Sequence, residues 1–457
     1  MLEQFLYKSY FLFFDLSLWR NRHFTPAGAM VITAIILSGI LGFNVFRTLI
    51  YQIMALGCSL AILSLVLSLF PFKIKIKVDR ILPDFVTVDE SMIYEIELVN
   101  LSKKTQKGLI LYENLKDPRP SLKQLLTQKE PYETHRNAWD KKTLYYRWLW
   151  LIKKDKKVGL SPIKLPDLPV GESIRIQIKS TPCFRGYIHF SSFTFARSDT
   201  MGLFNRLYHI KKNQKLLVLP KRYQLQTPNL YSTRQYHPGG ISLTSSIGNS
   251  NEFMSLRRYR PGDPLKNIHW RTFAKTNELV IKEFEDEYFV RHALILDTFL
   301  NSENENLFEQ AVSIASSYIY SMQTHESILD LMFVGNHIYS FSTGRGLSHS
   351  EKMLEIMACV QPCADKSILD LIPILKANIK QFSGSICIFL GWTKAHQKIV
   401  QLFEQAMVPV FIIIMTEDDL KTKENILNAT DTANGTKDIN GMKIVQTDKI
   451  AQTLGQS

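Results

Sequence analysis

The side chains most able to carry out chemistry lie between positions 256 and 287, where carboxylate, imidazole and guanidinium groups are close in sequence. Asp263, His269 and Arg271 are residue types that general acid–base catalysis uses. A structural interpretation is also open. Asp263 would cap a short helix that starts with Pro264 and runs to about Lys275, and the histidine would pack on a neighbouring strand. We favour the structural interpretation and keep the catalytic one as an alternative.

A second candidate site is the aromatic and basic segment 141–157, KKTLYYRWLWLIKKDKK. Such a mixture suits lipid headgroups, where rings lie at the interface and cations meet anionic lipid. It also suits single-stranded nucleic acid, and a strand pair with one buried aromatic face is the structural alternative. We favour the strand pair, followed by membrane contact, over nucleic acid. Membrane contact ranks above nucleic acid because apolar segments lie nearby in the sequence. The predicted membrane-surface residues are Lys141, Lys142, Trp148, Trp150, Lys153 and Lys154.

Composition limits the class of protein without choosing an activity. The chain has 457 residues, a net charge of +13 and five cysteines. The length allows about two or three domains, and an odd number of dispersed cysteines excludes a dense disulfide scaffold. The positive charge suits an anionic membrane, an acidic partner or nucleic acid.

Two uncharged runs near the N-terminus predict a membrane hairpin over residues 27–70. The runs cover 27–46 and 48–70, and about 20 apolar residues suffice to cross a bilayer. Lysine and arginine flank the pair on both outer sides, so the positive-inside rule predicts that the remaining chain is cytoplasmic. We expect residues 1–26 to form an interfacial helix, and we expect a multi-pass protein of the bacterial inner membrane.

Two soluble domains are predicted after the hairpin. Period-two alternation over 73–220 predicts an antiparallel β-sandwich, interrupted by an aromatic and basic insertion near 121–165. Residues 221–290 form a linker and the segment described first. Strand and helix patterns alternate over 291–457, which predicts a doubly wound α/β domain.

Two motifs in these regions resemble one family, the MoxR-associated membrane proteins of domain of unknown function 58. The order of apolar hairpin, sandwich and α/β unit is similar as well, so the resemblance covers nearly the whole chain. The motif residues, which we take as a candidate partner-binding surface, are Arg185, Gly186, Asp199, Gly202, Arg258, Tyr259, Arg260, Gly262, Asp263, His269, Trp270 and Arg271.

The resemblance implies a von Willebrand factor A-like C-terminal domain and a partner of the MoxR-type AAA+ ATPase class. Metal-binding A domains use oxygen ligands that here correspond to Asp297, Asn301 and Thr343, but the set is incomplete. We therefore expect no metal and no cofactor. The expected function is a membrane-anchored, non-enzymatic scaffold or adaptor that helps the ATPase to assemble or remodel envelope-associated protein clients, without nucleic acid. The alternatives are an enzyme using Asp263 and His269, or a nucleic-acid-binding protein.

Overall fold

The protein is described here from a computed structural model, in which the chain forms two compact units, residues 1–221 and 222–457. The structure describes all residues except 1, 42–47, 71, 73, 131–132, 227–252, 285–289, 300–304, 323–326, 336, 343–346, 364–365, 417–441, 447–449 and 456–457.

Three helices begin the first unit: α1 (Leu2–His23), α2 (Pro26–Leu41) and α3 (Thr48–Leu69). Among the described residues, only Leu49–Leu69 of α3 is both long and apolar enough to cross a membrane. The prediction of two transmembrane helices is therefore wrong. Helix α2 has 16 residues, or ~24 Å at a rise of about 1.5 Å per residue, whereas the hydrocarbon core is about 30 Å thick. The end of the predicted first span, 42–46, lies outside the described residues.

Eight strands follow among the described residues of this unit and form two sheets. Their bounds are β1 (Ile76–Ile81), β2 (Phe85–Thr87), β3 (Met92–Asn100), β4 (Leu109–Leu115), β5 (Ile163–Lys164), β6 (Ser173–Ser180), β7 (Gly186–Ser198) and β8 (Asn205–Leu219). One sheet has the order β1-β3-β6 and the other β2-β8-β7-β4-β5. All pairs are antiparallel except β2 with β8. Alternate residues of β3 are buried, as period two requires, and both sheets contribute to one apolar core.

The insertion between β4 and β5 is helical. It contains α4 (Leu122–Thr127), α5 (Ala138–Thr143) and α6 (Tyr145–Lys156). The strand pair considered for the aromatic and basic segment is therefore not formed, because Tyr145 to Lys156 make one amphipathic helix whose buried side includes Trp148, Leu151 and Ile152.

The second unit contains a two-stranded hairpin and a larger sheet. The hairpin is β9 (Phe253–Arg258) with β10 (Val280–Phe284), joined through α7 (Trp270–Thr276). The remaining elements are β11 (Val290–Leu296), α8 (Glu305–Met322), β12 (Ser327–Val334), β13 (Ile338–Ser342), α9 (Leu347–Cys359), α10 (Ile372–Asn378), β14 (Gly384–Phe389), α11 (Lys394–Gln405), β15 (Val410–Thr416), β16 (Met442–Gln446) and α12 (Ile450–Gly455).

The six-stranded sheet has the order β13-β12-β11-β14-β15-β16. Its neighbours are parallel except at one edge, where β13 runs antiparallel to β12. Every residue of β14 is buried, because helices cover the central strands. The protein is thus mixed α/β with several sheets. No clear von Willebrand factor A domain is shown, so that part of the predicted fold class is corrected together with the second transmembrane helix.

Candidate functional site

Asp263, the acidic residue of the segment described first, is held by arginine on its own hairpin. The two guanidinium nitrogens Nη1 and Nη2 of Arg257 each donate to one oxygen of the carboxylate at 2.8 Å, and the backbone N–H of Arg260 donates at 2.8 Å. Gly262 supports this turn with a φ of +105°, which favours glycine. The bonds from Arg257 lower the pKa of Asp263, and the Arg260 N–H acts in the same direction. Asp263 is therefore an ionised structural anchor.

His269 also has structural partners. Its backbone N–H donates to the carbonyl of Val280 at 2.8 Å, and its ring Nδ1 lies 2.6 Å from Thr272 Oγ1. The described residues include no hydrogen bond between Asp263 and His269. The predicted single helix is divided into a 3₁₀ turn over Leu265–Asn267 and the separate helix α7, because Ile268 is extended and the His269 N–H donates to Val280 of β10.

The segment exposes several of the predicted residues. The side chains of Arg258, Arg260 and Arg271 are exposed, and Trp270 is 59% exposed with its ring against Phe273. Tyr259 is half-buried, and its backbone N–H donates to Leu279. The hairpin therefore holds an aromatic ring and basic groups at a solvent-facing surface. Sequence reasoning missed Arg257, although its position six residues before Asp263 was a usable signal.

The second motif forms a tight loop between β7 and β8. The Asp199 carboxylate is buried and accepts hydrogen bonds from the backbone N–H groups of Leu203 and Phe204 and from Ser64 Oγ of α3. Gly202 has a φ of +73°, as the turn requires. Asp199 thus connects the β-rich part of the first unit to α3.

The same loop binds the junction between α1 and α2. Thr25 Oγ1 donates to the carbonyl of Gly202 at 2.6 Å, and the Thr25 N–H donates to Leu203 O at 3.2 Å. The Gly28 N–H donates to Thr25 Oγ1 at 3.0 Å. We call these contacts, with those of Asp199, the helix clasp. Arg185 and Gly186 lie elsewhere, at the start of β7, where Gly186 has a φ of +102°.

The predicted membrane-surface residues do not share one surface. Lys141, Lys142 and Lys153 are exposed, and Lys154 Nζ lies 4.8 Å from the centre of the Trp150 ring. Trp148 is only 3% exposed, so its predicted contact with lipid headgroups is wrong. It lies in a core in which the rings of Tyr7, Tyr10 and Phe11 of α1 surround it at 5.7, 6.0 and 6.4 Å.

At the end of β11, Asp297 is the described member of the predicted degenerate metal set. Its Oδ1 accepts the Phe299 N–H, and its Oδ2 accepts the Leu390 N–H and lies 3.1 Å from His396 Nε2. N–H groups thus contact both oxygens of this carboxylate. Asn301 and Thr343 lie outside the described residues, and the described part of the chain contains no group of three or more metal-ligating side chains. Sequence reasoning missed His396.

Part of the chain is similar to a family model and to a curated protein. Residues 255–373 match the family model of protein of unknown function DUF58. The match begins in β9 and includes the anchored turn, Trp270 and the first half of the large sheet. An uncharacterised protein of Bacillus subtilis strain 168, YeaD, is 28% identical over 178 residues, which are 38% of this chain. The chain spans 42% of the length of that relative.

Solved structures are similar only at a low level. The CARDB domain of the PF1109 protein from Pyrococcus furiosus matches with a TM-score of 0.18 and 11% identity over 33% of this chain and 93% of that one. The manganese-loaded TRAP protein of Plasmodium vivax matches with a TM-score of 0.28 and 9% identity over 36% of this chain and 71% of that one. These scores do not assign a fold to either unit.

Proposed function

We propose that this protein is a membrane-anchored scaffold or adaptor without catalysis of its own, which presents the DUF58-matching segment to a MoxR-type AAA+ ATPase and its protein clients. The observation that carries the proposal is the exposed Trp270 next to Arg271, held on a hairpin that also exposes Arg258 and whose acidic and imidazole groups have structural partners. Exposed tryptophan and arginine are the residue types most often found at the energetic centres of protein interfaces. The class of partner follows from the family resemblance.

The anchor is α3. Large apolar side chains are exposed along its whole length, including Leu49, Leu56 and Leu69 at 66%, 62% and 73%. Exposing this much apolar surface to water is costly, and a bilayer removes that cost. The helix clasp connects this anchor to the β-rich part of the first unit through hydrogen bonds. Lys75 and Lys77 follow α3, which favours the cytoplasmic side for the domains after it.

Helix α1 has two apolar faces, and both are compatible with a position at the membrane surface. Tyr7, Tyr10 and Phe11 pack on Trp148, whereas Phe5 and Leu12 are 69% and 60% exposed. Leu16 and Trp19 continue the exposed face at helical spacing. An interfacial position, with the exposed face in the lipid headgroup region, would satisfy both sides of α1.

The proposal is tested with the full-length protein in lipid nanodiscs and a MoxR-type ATPase from the same organism. Binding is measured by biolayer interferometry, with and without ATP and Mg²⁺. We expect saturable, nucleotide-dependent binding. Trp270→Ala should weaken it by about tenfold or more, because truncating an interface tryptophan commonly costs about 2 kcal/mol or more.

Trp139 provides a matched control, since it is a 73% exposed tryptophan outside the DUF58-matching segment. Trp139→Ala should leave binding unchanged. The docking proposal is refuted if the ATPase does not bind in either nucleotide state, or if the two alanine variants have equal effects.

The enzyme alternative has less support from the geometry. General acid–base catalysis needs a group whose pKa lies near the working pH, whereas hydrogen bonds from Arg257 lower the pKa of Asp263. The nucleic-acid alternative loses one of its stacking rings, because Trp148 is buried.

A further inference from the structure

A cleft of about 400 Å³ opens in the five-stranded sheet, where β7 and β8 lose their regular register. Phe190 pairs with Gln214 and Ser192 pairs with Lys211, so between these pairs one residue of β7 lies opposite two residues of β8. Ser191 of β7 and Asn213 of β8, which lie within this bulge, line the cleft. Bulges of this kind redirect side chains and are frequent next to binding sites.

The walls of the cleft are basic. Lys116, His189 and Lys215 line it. His189 and Lys215 are a cross-strand pair, and the Lys116 N–H donates to the His189 carbonyl at 2.8 Å, so the three side chains start from adjacent backbone positions. Burial lowers the pKa of His189, and the charges of Lys116, Lys157 and Lys215 lower it further. The positive charges of three lysines therefore act on one imidazole.

One carboxylate partly offsets these charges. Asp155 of α6 lies near Lys116, Lys154 and Lys157, and burial raises its pKa in spite of their attraction. No ion pair joins it to Lys116 or Lys215 within the described residues. A concave surface with excess positive charge attracts an anion.

Phe190 and Gln214 form the floor of the cleft, and both contact the buried Arg80 side chain. Gln214 accepts from Arg80 Nη1 at 2.9 Å and donates to Arg80 O at 3.1 Å. The buried Arg80 guanidinium lies 4.2 Å from the ring centre of Phe190 and pairs with Glu113 at 2.8 Å. Its Nη2 has no hydrogen-bond partner in the part of the chain that the structure describes. The two floor residues, Phe190 and Gln214, are thus fixed before any ligand arrives.

We propose that this cleft binds a phosphate group, with Lys116 and Lys215 as the principal cations, His189 as a further donor and Asn213 as a polar contact. Phosphate suits the site because it accepts charge-assisted hydrogen bonds from several directions at once, as lysines on adjacent strands can supply. The group belongs either to an anionic lipid headgroup or to a free phosphate compound. This inference is independent of the docking surface around Trp270, which lies in the other unit.

Isothermal titration calorimetry on the full-length protein in a neutral detergent tests the site. One arm uses inorganic phosphate, a second uses short-chain phosphatidic acid, and short-chain phosphatidylcholine is the reference lipid. Lys116→Gln and Lys215→Gln should each weaken binding by about tenfold or more, since a hydrogen bond to a charged group contributes about 1.5–3 kcal/mol. Lys211→Gln is the matched control, because Lys211 is exposed on the same strand but does not line the cleft.

Saturable binding of phosphatidic acid alone, with the expected variant pattern, identifies a lipid headgroup site. Binding of inorganic phosphate with the same pattern identifies a site for free phosphate compounds. The proposal is overturned if neither probe binds saturably, or if Lys211→Gln weakens binding as much as the two cleft variants. The thermal unfolding midpoints of the three variants should equal that of the unchanged protein. Equal midpoints will show that all of the proteins are folded when their binding is compared.

Discussion

Replacing Gly28 by alanine tests the helix clasp directly. A methyl group at this position would lie 2.0 Å from the carbonyl oxygen of Leu203. That atom belongs to the backbone and cannot rotate away as a flexible side chain would. The loop and the start of α2 must therefore separate.

The cost can be worked out from the bonds at this contact. Separation disturbs the hydrogen bonds from Thr25 N to Leu203 O, from Thr25 Oγ1 to Gly202 O, and from Gly28 N to Thr25 Oγ1. At about 1 kcal/mol for each bond, the loss is about 3 kcal/mol. The higher helix propensity of alanine offsets about 1 kcal/mol of this loss. The net destabilisation expected for Gly28→Ala is therefore about 2 kcal/mol.

Gly39→Ala is the matched control in the same helix, because its new methyl group would meet only Met54 Sδ at an ordinary 3.8 Å. Thermal unfolding of the full-length protein in one detergent, followed by scanning fluorimetry, is the assay. For a unit of 221 residues, about 2 kcal/mol corresponds to a fall of about 4–8 °C in the midpoint. Gly39→Ala should not lower the midpoint. Equal midpoints for the two variants would refute the clasp.

Two further predictions concern the first unit's aromatic core and the anchored turn. Trp148→Ala should reduce the free energy of unfolding by about 3–5 kcal/mol, because it empties a buried site, whereas Trp139→Ala should have little effect; urea unfolding compares them. The pKa of Asp263 is lowered in the folded state, so the stability from its pair with Arg257 is present at neutral pH and is lost as pH falls through that pKa. The thermal unfolding midpoint of the Asp263→Asn variant should therefore change less between neutral and acidic pH than that of the unchanged protein. Parallel plots of midpoint against pH for the two proteins would contradict this prediction.

Much of the local structure was visible in the sequence. The uncharged run of α3 and the alternation of β3 are properties of consecutive residues, and backbone geometry converts them directly into a helix or a half-buried strand. The continuous apolar run of β14 similarly indicated a strand covered on both faces. The candidate segment around Asp263 and His269 was also found from residue types and spacing. Trp270 and Arg271, two of its exposed residues, lie on the short helix α7.

The errors came from features that distant residues decide. The basic and aromatic pattern of 141–157 was equally compatible with a surface or a core. Packing against α1 buries Trp148, although the two elements are more than a hundred residues apart in the chain. The second transmembrane helix was predicted wrongly because an uncharged run shows where a helix is permitted and not how far it extends.

The sequence by itself determined the kinds of elements in this protein and the residues worth examining. Only the tertiary structure decided which partner each polar group has: Arg257 for Asp263, Ser64 for Asp199 and His396 for Asp297. It also decided that Lys116, which follows β4, and Lys215 of β8 line one cleft. The physical reason is that helix and strand periodicity are short-range properties of the backbone. The satisfaction of a buried charge depends on which groups folding brings within about 3 Å of it.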